Sequence, residues 1–171
     1  VASLRARARV IAPLLLVSVI GLALLFLATP YGLGVSPDST QYLSAADHFL
    51  RGDGLRGHWW DEGAQPFTHF PPGFAISLSF LTGLGLTADA SARWINGVAL
   101  LISAVLAYAL TRKASGSTTA GLFGAAAVVL ARDVLAAHAM IWSEPVFVTL
   151  MLGALLATTR AGLRMTLARA L

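Results

Sequence analysis

Asp38, His69 and Glu144 are the side chains of this 171-residue sequence whose types and settings best suit chemistry. Asp38 stands in "SPDSTQYLSAADHFLRGDG", His69 in "THFPPG" and Glu144 in "WSEPVF". A carboxylate fixed at a helix start can take a proton from a hydroxyl, or help hold a divalent cation. Asp38 also has a plainer reading as a helix N-cap, with Gln41 three residues on completing a capping box worth about 1 kcal/mol. Neither reading displaces the other. Glu144 opens an apolar stretch, where ionisable groups are costly and tend to face cavities or partners. Its plainer reading is a first-turn acid favoured by the helix dipole, with Pro145 beside it. His69 is fixed by the rigid turn that Pro71-Pro72-Gly73 imposes, although a lone histidine is more often structural than a ligand. Arg51 and Arg56 are the basic residues of the same region. The Arg51 guanidinium suits a lipid phosphate, and a solvated surface position suits it equally. For Asp133, the adjacent Arg132 supplies a salt bridge or a snorkelling account.

The elements that must hold these residues are apolar. Hydrophobic residues make up 57% of the chain and charged ones 12%, against about 45–50% and about 25% in ordinary soluble domains. That excess, with a mean hydropathy of +0.75, predicts a polytopic helical membrane protein, all-α in class. Cysteine is absent, which excludes disulfides, thiolate metal sites and cysteine nucleophiles. The pI near 10.3 does not argue for nucleic acid, because the arginines are dispersed and no aromatic and basic surface pattern accompanies them.

A first span covers about residues 10–29, behind Arg5, Arg7 and Arg9. It is longer than a signal-peptide core and lacks a small-x-small cleavage site, so a retained helix is expected. A polar loop of about 30–70 follows and carries five of the eight acidic residues. Trp59-Trp60 there fit an interfacial aromatic belt. A re-entrant or short tilted helix is expected over about 72–86, then spans over about 92–111, 119–137 and 144–159. Three basic clusters (Arg5/Arg7/Arg9, Arg112/Lys113 and Arg160/Arg164/Arg169) contain no acidic residue. By the positive-inside rule all three face the cytoplasm and the loop faces outward. That requires one crossing between residues 70 and 111; the alternative, two crossings, puts Arg112 and Lys113 outside, against the rule.

Within the loop, Tyr42, Ala46, Phe49 and Leu50 recur at helical spacing, which predicts an amphipathic helix at the membrane surface. "RGDG" ends it, since glycine accepts the left-handed conformation of a C-terminal cap. Glycine and alanine runs such as "GLFGAAA" and "LGALLA" suit close helix packing in lipid. They support an alternative identity, a small non-catalytic membrane protein that packs with a partner.

The order of these pieces resembles the N-terminal part of GT-C-fold membrane glycosyltransferases: a basic start, one span, "PDSTQYLSAADHFLRGDG", "PPG", "ARWINGVALL", a basic turn and "SEPVF". The closest likeness is to the bacterial branch related to protein O-mannosyltransferases and lipid A aminoarabinose transferases, and it extends over nearly all 171 residues. The resemblance implies transfer of a sugar from a polyprenyl-phosphate carrier to a lipid, glycan or protein acceptor at the outer face of a bacterial cytoplasmic membrane. It places Asp38 at the catalytic carboxylate, His69 at a cavity position ahead of the proline pair and Glu144, loosely, at a later cavity acid. Some relatives carry Glu-Lys ahead of Pro-Pro where this chain has "HF", so the divalent cation is an open question. Such enzymes are much longer, and the chain, which begins with Val, is expected to be a piece of one.

Overall fold

The computed structural model describes residues 2–59 and 63–170, with side chains described for 10–58 and 63–159. Trp60, the Trp59 side chain and the arginine side chains of the first and third basic clusters lie outside the described residues. In chain order the elements are α1 (Ala2–Ala28), α2 (Pro37–Leu50), β1 (Arg56–Trp59), β2 (Gly63–Pro66), α3 (Pro72–Gly83), α4 (Ala88–Ser115), α5 (Thr118–Leu130), α6 (Arg132–His138) and α7 (Glu144–Ala170). The chain is mostly helical. The polar loop adds an antiparallel hairpin, pairing Arg56 with Pro66 and Trp59 with Gly63, which an all-α reading did not include.

Among the described residues two helices, α1 from Val10 and α4, are long and apolar enough to cross a membrane. The stretch expected as one span over 119–137 is two helices, α5 and α6, bent by 55° at Ala131. If the bent pair is one span, the count rises to three. The 12 residues of α3 reach about 18 Å, short of a hydrocarbon core of about 30 Å. Its length therefore does not make it a second crossing before α4.

α1, α4, α5 and α7 form a bundle. α1 runs antiparallel to α4: Arg93 donates to Thr29, while farther along a Cβ on Gly97 would lie 3.3 Å from Leu22. α7 runs parallel to α4, with Ser103 and Thr149 hydrogen bonded at 2.8 Å and Leu106 near Gly153. These registers send the start of α1, the Arg112–Lys113 turn and the far part of α7 to one end. Close approach carries the α4–α5 crossing, since a Cβ on Gly121 would lie 2.8 Å from the Tyr108 ring. Leu25, Leu100, Ala104, Tyr108, Ala125 and Val129 make the bundle core.

At the opposite end α2, α3 and the hairpin form a second layer over the first turns of α4. Its core joins Leu33, Tyr42, Phe67, Phe74, Leu78, Ala92 and Ile141. Tyr42 and Ala46 of the amphipathic pattern are buried in it, while Phe49 and Leu50 remain exposed. The apolar face of α2 therefore turns first toward protein, and outward only at its end.

Candidate functional site

The start of α2 is set by Ser36, not by Asp38. Ser36 is the N-cap, its Oγ accepts from the Ser39 N–H, and the Ser39 hydroxyl accepts from the Ser36 N–H in return. Pro37 takes the first helical position, where its fixed φ and missing N–H cost nothing. Asp38 therefore lies inside the first turn, exposed, with no hydrogen bond or ion pair among the described residues. The expected Asp38–Gln41 capping box is thus replaced by Ser36–Ser39. The neighbouring proline carried the signal that would have placed the cap one residue before it.

Gln41 does other work. Buried, it donates through Nε2 to the His58 carbonyl and ties β1 to α2. The strand comes this close because residue 57 is glycine: a Cβ there would lie 2.4 Å from Gln41 Oε1. That Oε1 has no hydrogen-bond partner among the described residues. Between helix and hairpin opens a cleft of about 530 Å³, lined by Asp38, Thr40, Gln41, His58, His69 and Phe70. The fold thus brings two expected site residues, Asp38 and His69, to one cavity and adds His58. Among the described residues no three His, Asp or Glu side chains gather closely enough to hold a metal ion.

Compared with known proteins, the chain matches no family model, no curated protein and no solved structure.

Glu144, expected as a cavity acid, does not line the cleft: it is exposed at the start of α7, and its charge acts on Tyr42. Tyr42 packs against Phe67, Phe70 and Phe74 with ring centroids 5.7, 5.3 and 5.1 Å away. Its hydroxyl donates to Ser143 Oγ at 2.8 Å, immediately ahead of α7. Burial pushes the Tyr42 pKa up; the Ser143 hydroxyl, which can turn to donate to a phenolate, opposes this, and the Glu144 and Asp38 charges add to the rise. Both carboxylates are thus near enough to act on one buried hydroxyl. Trp142 Nε1 donates to Ser36 Oγ at 2.7 Å, and Gly34 pairs with the joint at Ala139 and Ile141. The α6–α7 joint therefore clamps the start of α2.

Arg51 does not join this group. It closes the other end of α2, about 20 Å along the axis at 1.5 Å per residue, and pairs with Asp47 at 2.6 Å. The adjacent Arg132 and Asp133 form no ion pair among the described residues, where Arg51 pairs with Asp47 and His48 hydrogen bonds to Asp53. Three polar residues of α4 hold the site from below and had no visible signal in the sequence. Asp89 Oδ1 accepts from the Leu33 N–H at 2.8 Å. Arg93 donates to the Thr29 carbonyl and hydroxyl and lies over the Phe26 ring, capping the C-terminal end of α1. Asn96, fully buried, donates to the His138 and Met140 carbonyls at 2.9 and 2.8 Å.

Proposed function

We propose that this chain forms part of a GT-C-type membrane glycosyltransferase, which moves a sugar from a polyprenyl-phosphate carrier to a hydroxyl-bearing acceptor. The site would lie at the outer face of a bacterial cytoplasmic membrane. The observation that carries the proposal is the Asp38 carboxylate, released from helix capping by Ser36 and lining a cleft with His58 and His69. The basic ends of the bundle, set opposite the cleft, support this orientation by the positive-inside rule.

In the proposed reaction Asp38 takes the proton of the acceptor hydroxyl as its oxygen attacks the anomeric carbon. The bond from that carbon to the carrier phosphate breaks, and the phosphate leaves with the electron pair. Gln41 Oε1 and the histidines orient hydroxyls in the cleft. Glu144, behind Tyr42, keeps the locality negative. None of the described residues lining the cleft is an arginine or lysine, which favours an uncharged acceptor on the Asp38 side and puts the carrier phosphate across the anomeric carbon from it, at the open edge of the cleft. Arg51, paired with Asp47, is not given the phosphate in this scheme.

The test is Asp38→Asn in the whole protein in native membranes, following incorporation of radiolabelled sugar from polyprenyl-phosphate carriers. The expected loss is about 10²–10⁴-fold, the usual share of a general base. Wild-type incorporation at normal protein level would reject the assignment. It would leave the second reading, a non-catalytic protein that packs with a partner, for which the outward apolar faces of α1 and α7 speak.

A further inference from the structure

α3 is a helix too short to cross, yet from Phe70 to Ala88 the chain carries no charged residue. Ile76, Phe80 and Leu84, spaced by four, all face outward, while Phe74, Ala75 and Leu78 are buried against the layer. Beside this outward face runs an apolar groove of about 610 Å³ between α3, α4 and α7, whose walls include Leu81, Trp94, Val98, Ile102, Val146 and Leu150. That volume lies in the range of about 300–1,000 Å³ typical of small-molecule sites. Its few polar side chains are satisfied within the protein: Ser77 Oγ donates to the Gly73 carbonyl, and Thr149 Oγ1 to the Pro145 carbonyl. Apart from the indole N–H of Trp94, nothing in the described lining asks for a polar occupant.

The position of the groove identifies what fills it. Its α4 wall belongs to a helix long and apolar enough to span a membrane. Of the α4 residues that line it, Trp94, Val98 and Ile102 lie on the outward side that also carries Val105, while Ala99 is buried at its floor. Measured from Asp89 at the polar end, Trp94 to Ile102 lies about 8–20 Å along the helix. The stretch from Trp94 to Ile102 is thus about 12 Å long, close to the depth of one leaflet, about 15 Å or half of a hydrocarbon core of about 30 Å. Trp94, 60% exposed, stands at the shallow end, where an interfacial tryptophan belongs.

We infer that the groove between α3, α4 and α7 holds one acyl chain of a bilayer phospholipid from the leaflet on the cleft side. α3 then lies as a half-inserted helix, with Ile76, Phe80 and Leu84 in the same leaflet. A chain of one-leaflet length fits the groove; a longer isoprenoid would run beyond it. The inference rests on the membrane placement and not on sugar transfer, so the two fail separately.

The whole protein, reconstituted in nanodiscs of phosphatidylethanolamine and phosphatidylglycerol and then released into mild detergent, is read by native mass spectrometry. Wild type retains one phospholipid. Val98→Trp and Leu150→Trp, which fill the groove, lower the lipid-bound fraction at least fivefold. Phe123→Trp, on an outward-facing site of α5 that is 73% exposed, leaves it unchanged. Equal retention in wild type and both groove variants overturns the inference, and so does an isoprenoid as the retained molecule. Should the filled variants not fold, wild type and Trp94→Phe are compared in nanodiscs whose acyl chains carry bromine near the glycerol end, at the depth of Trp94. The fluorescence assigned to Trp94 by difference falls at least twofold from its value in unbrominated lipid; an unchanged signal overturns the inference equally.

Discussion

In the layer that carries the cleft, Tyr42 meets three phenylalanine rings and its hydroxyl is fixed to Ser143. In the bundle, bare backbone at Gly121 lies against the Tyr108 ring, and small residues such as Ala104 and Ala125 are buried in the core. The difference follows from what surrounds each region. Two of the bundle's described helices are long and apolar enough to cross a membrane, and between helices in lipid there is no hydrophobic gain, so close backbone approach and dispersion must hold them. A layer facing water gains from large aromatic burial and needs side-chain hydrogen bonds to satisfy irregular backbone. Ser36, Ser39, Gln41, Trp142 and Ser143 meet that need. Asp38 does not, which leaves its carboxylate exposed at the cleft, as the proposed reaction requires.

The comparison can be broken region by region. Phe74→Ala removes a fully buried ring from the layer, and the expected loss is about 3–5 kcal/mol. Trp142 fluorescence and limited proteolysis should show the α2–α3 layer opening while bundle helicity persists. Simultaneous loss of both regions would mean that they are one cooperative unit. Gly121→Val forces a branched side chain into the Tyr108 contact and should cost about 1–3 kcal/mol, read as a lower melting point by circular dichroism. The layer's proteolytic protection should survive it. Ser36→Ala deletes the N-cap and the Trp142 acceptor together, for an expected loss of about 1 kcal/mol.

A smaller effect is set by pH. The Tyr42 pKa lies above its usual 10.0 when folded, so the folded state keeps a proton that the unfolded chain loses. Stability from this source is complete below pH 10 and falls as pH rises from there through the raised folded value. Tyr42→Phe should flatten that alkaline decline, measured as melting temperature against pH. An equal decline in the variant would assign it to other groups.

Much of this arrangement was legible in the sequence. Long uncharged runs mark α1 and α4, and the proline and glycine boundaries of α2 are visible as written. The placement of the cap was not read correctly, because Ser36 and Asp38 are both capping types and Pro37 between them decides which one serves. The hairpin escaped because "RGHW" and "GAQP" contain glycine, proline and no regular alternation. The bend at Ala131 had a cue in Arg132-Asp133, charges that interrupt an apolar run. The ties made by Asp89, Arg93 and Asn96 reach 42 to 67 residues along the chain, and no local pattern encodes such partners. The cleft itself was half legible: Asp38 and His69 were named, but His58 enters through a strand pairing that the sequence did not announce.

With Ser36 identified as the cap, stability alone no longer separates a catalytic Asp38 from an idle one. The decisive measurement therefore follows stability and sugar incorporation together in Ser36→Ala and Asp38→Asn of the whole protein. The account predicts a crossed result: Ser36→Ala loses about 1 kcal/mol of stability and keeps most of its transfer, whereas Asp38→Asn loses about 0.3 kcal/mol, the low end for an exposed charge at a helix start in salt, and nearly all transfer. If Asp38→Asn instead matches wild type in transfer, or if it destabilises the layer as much as Ser36→Ala does, the carboxylate is a structural group and the account is contradicted.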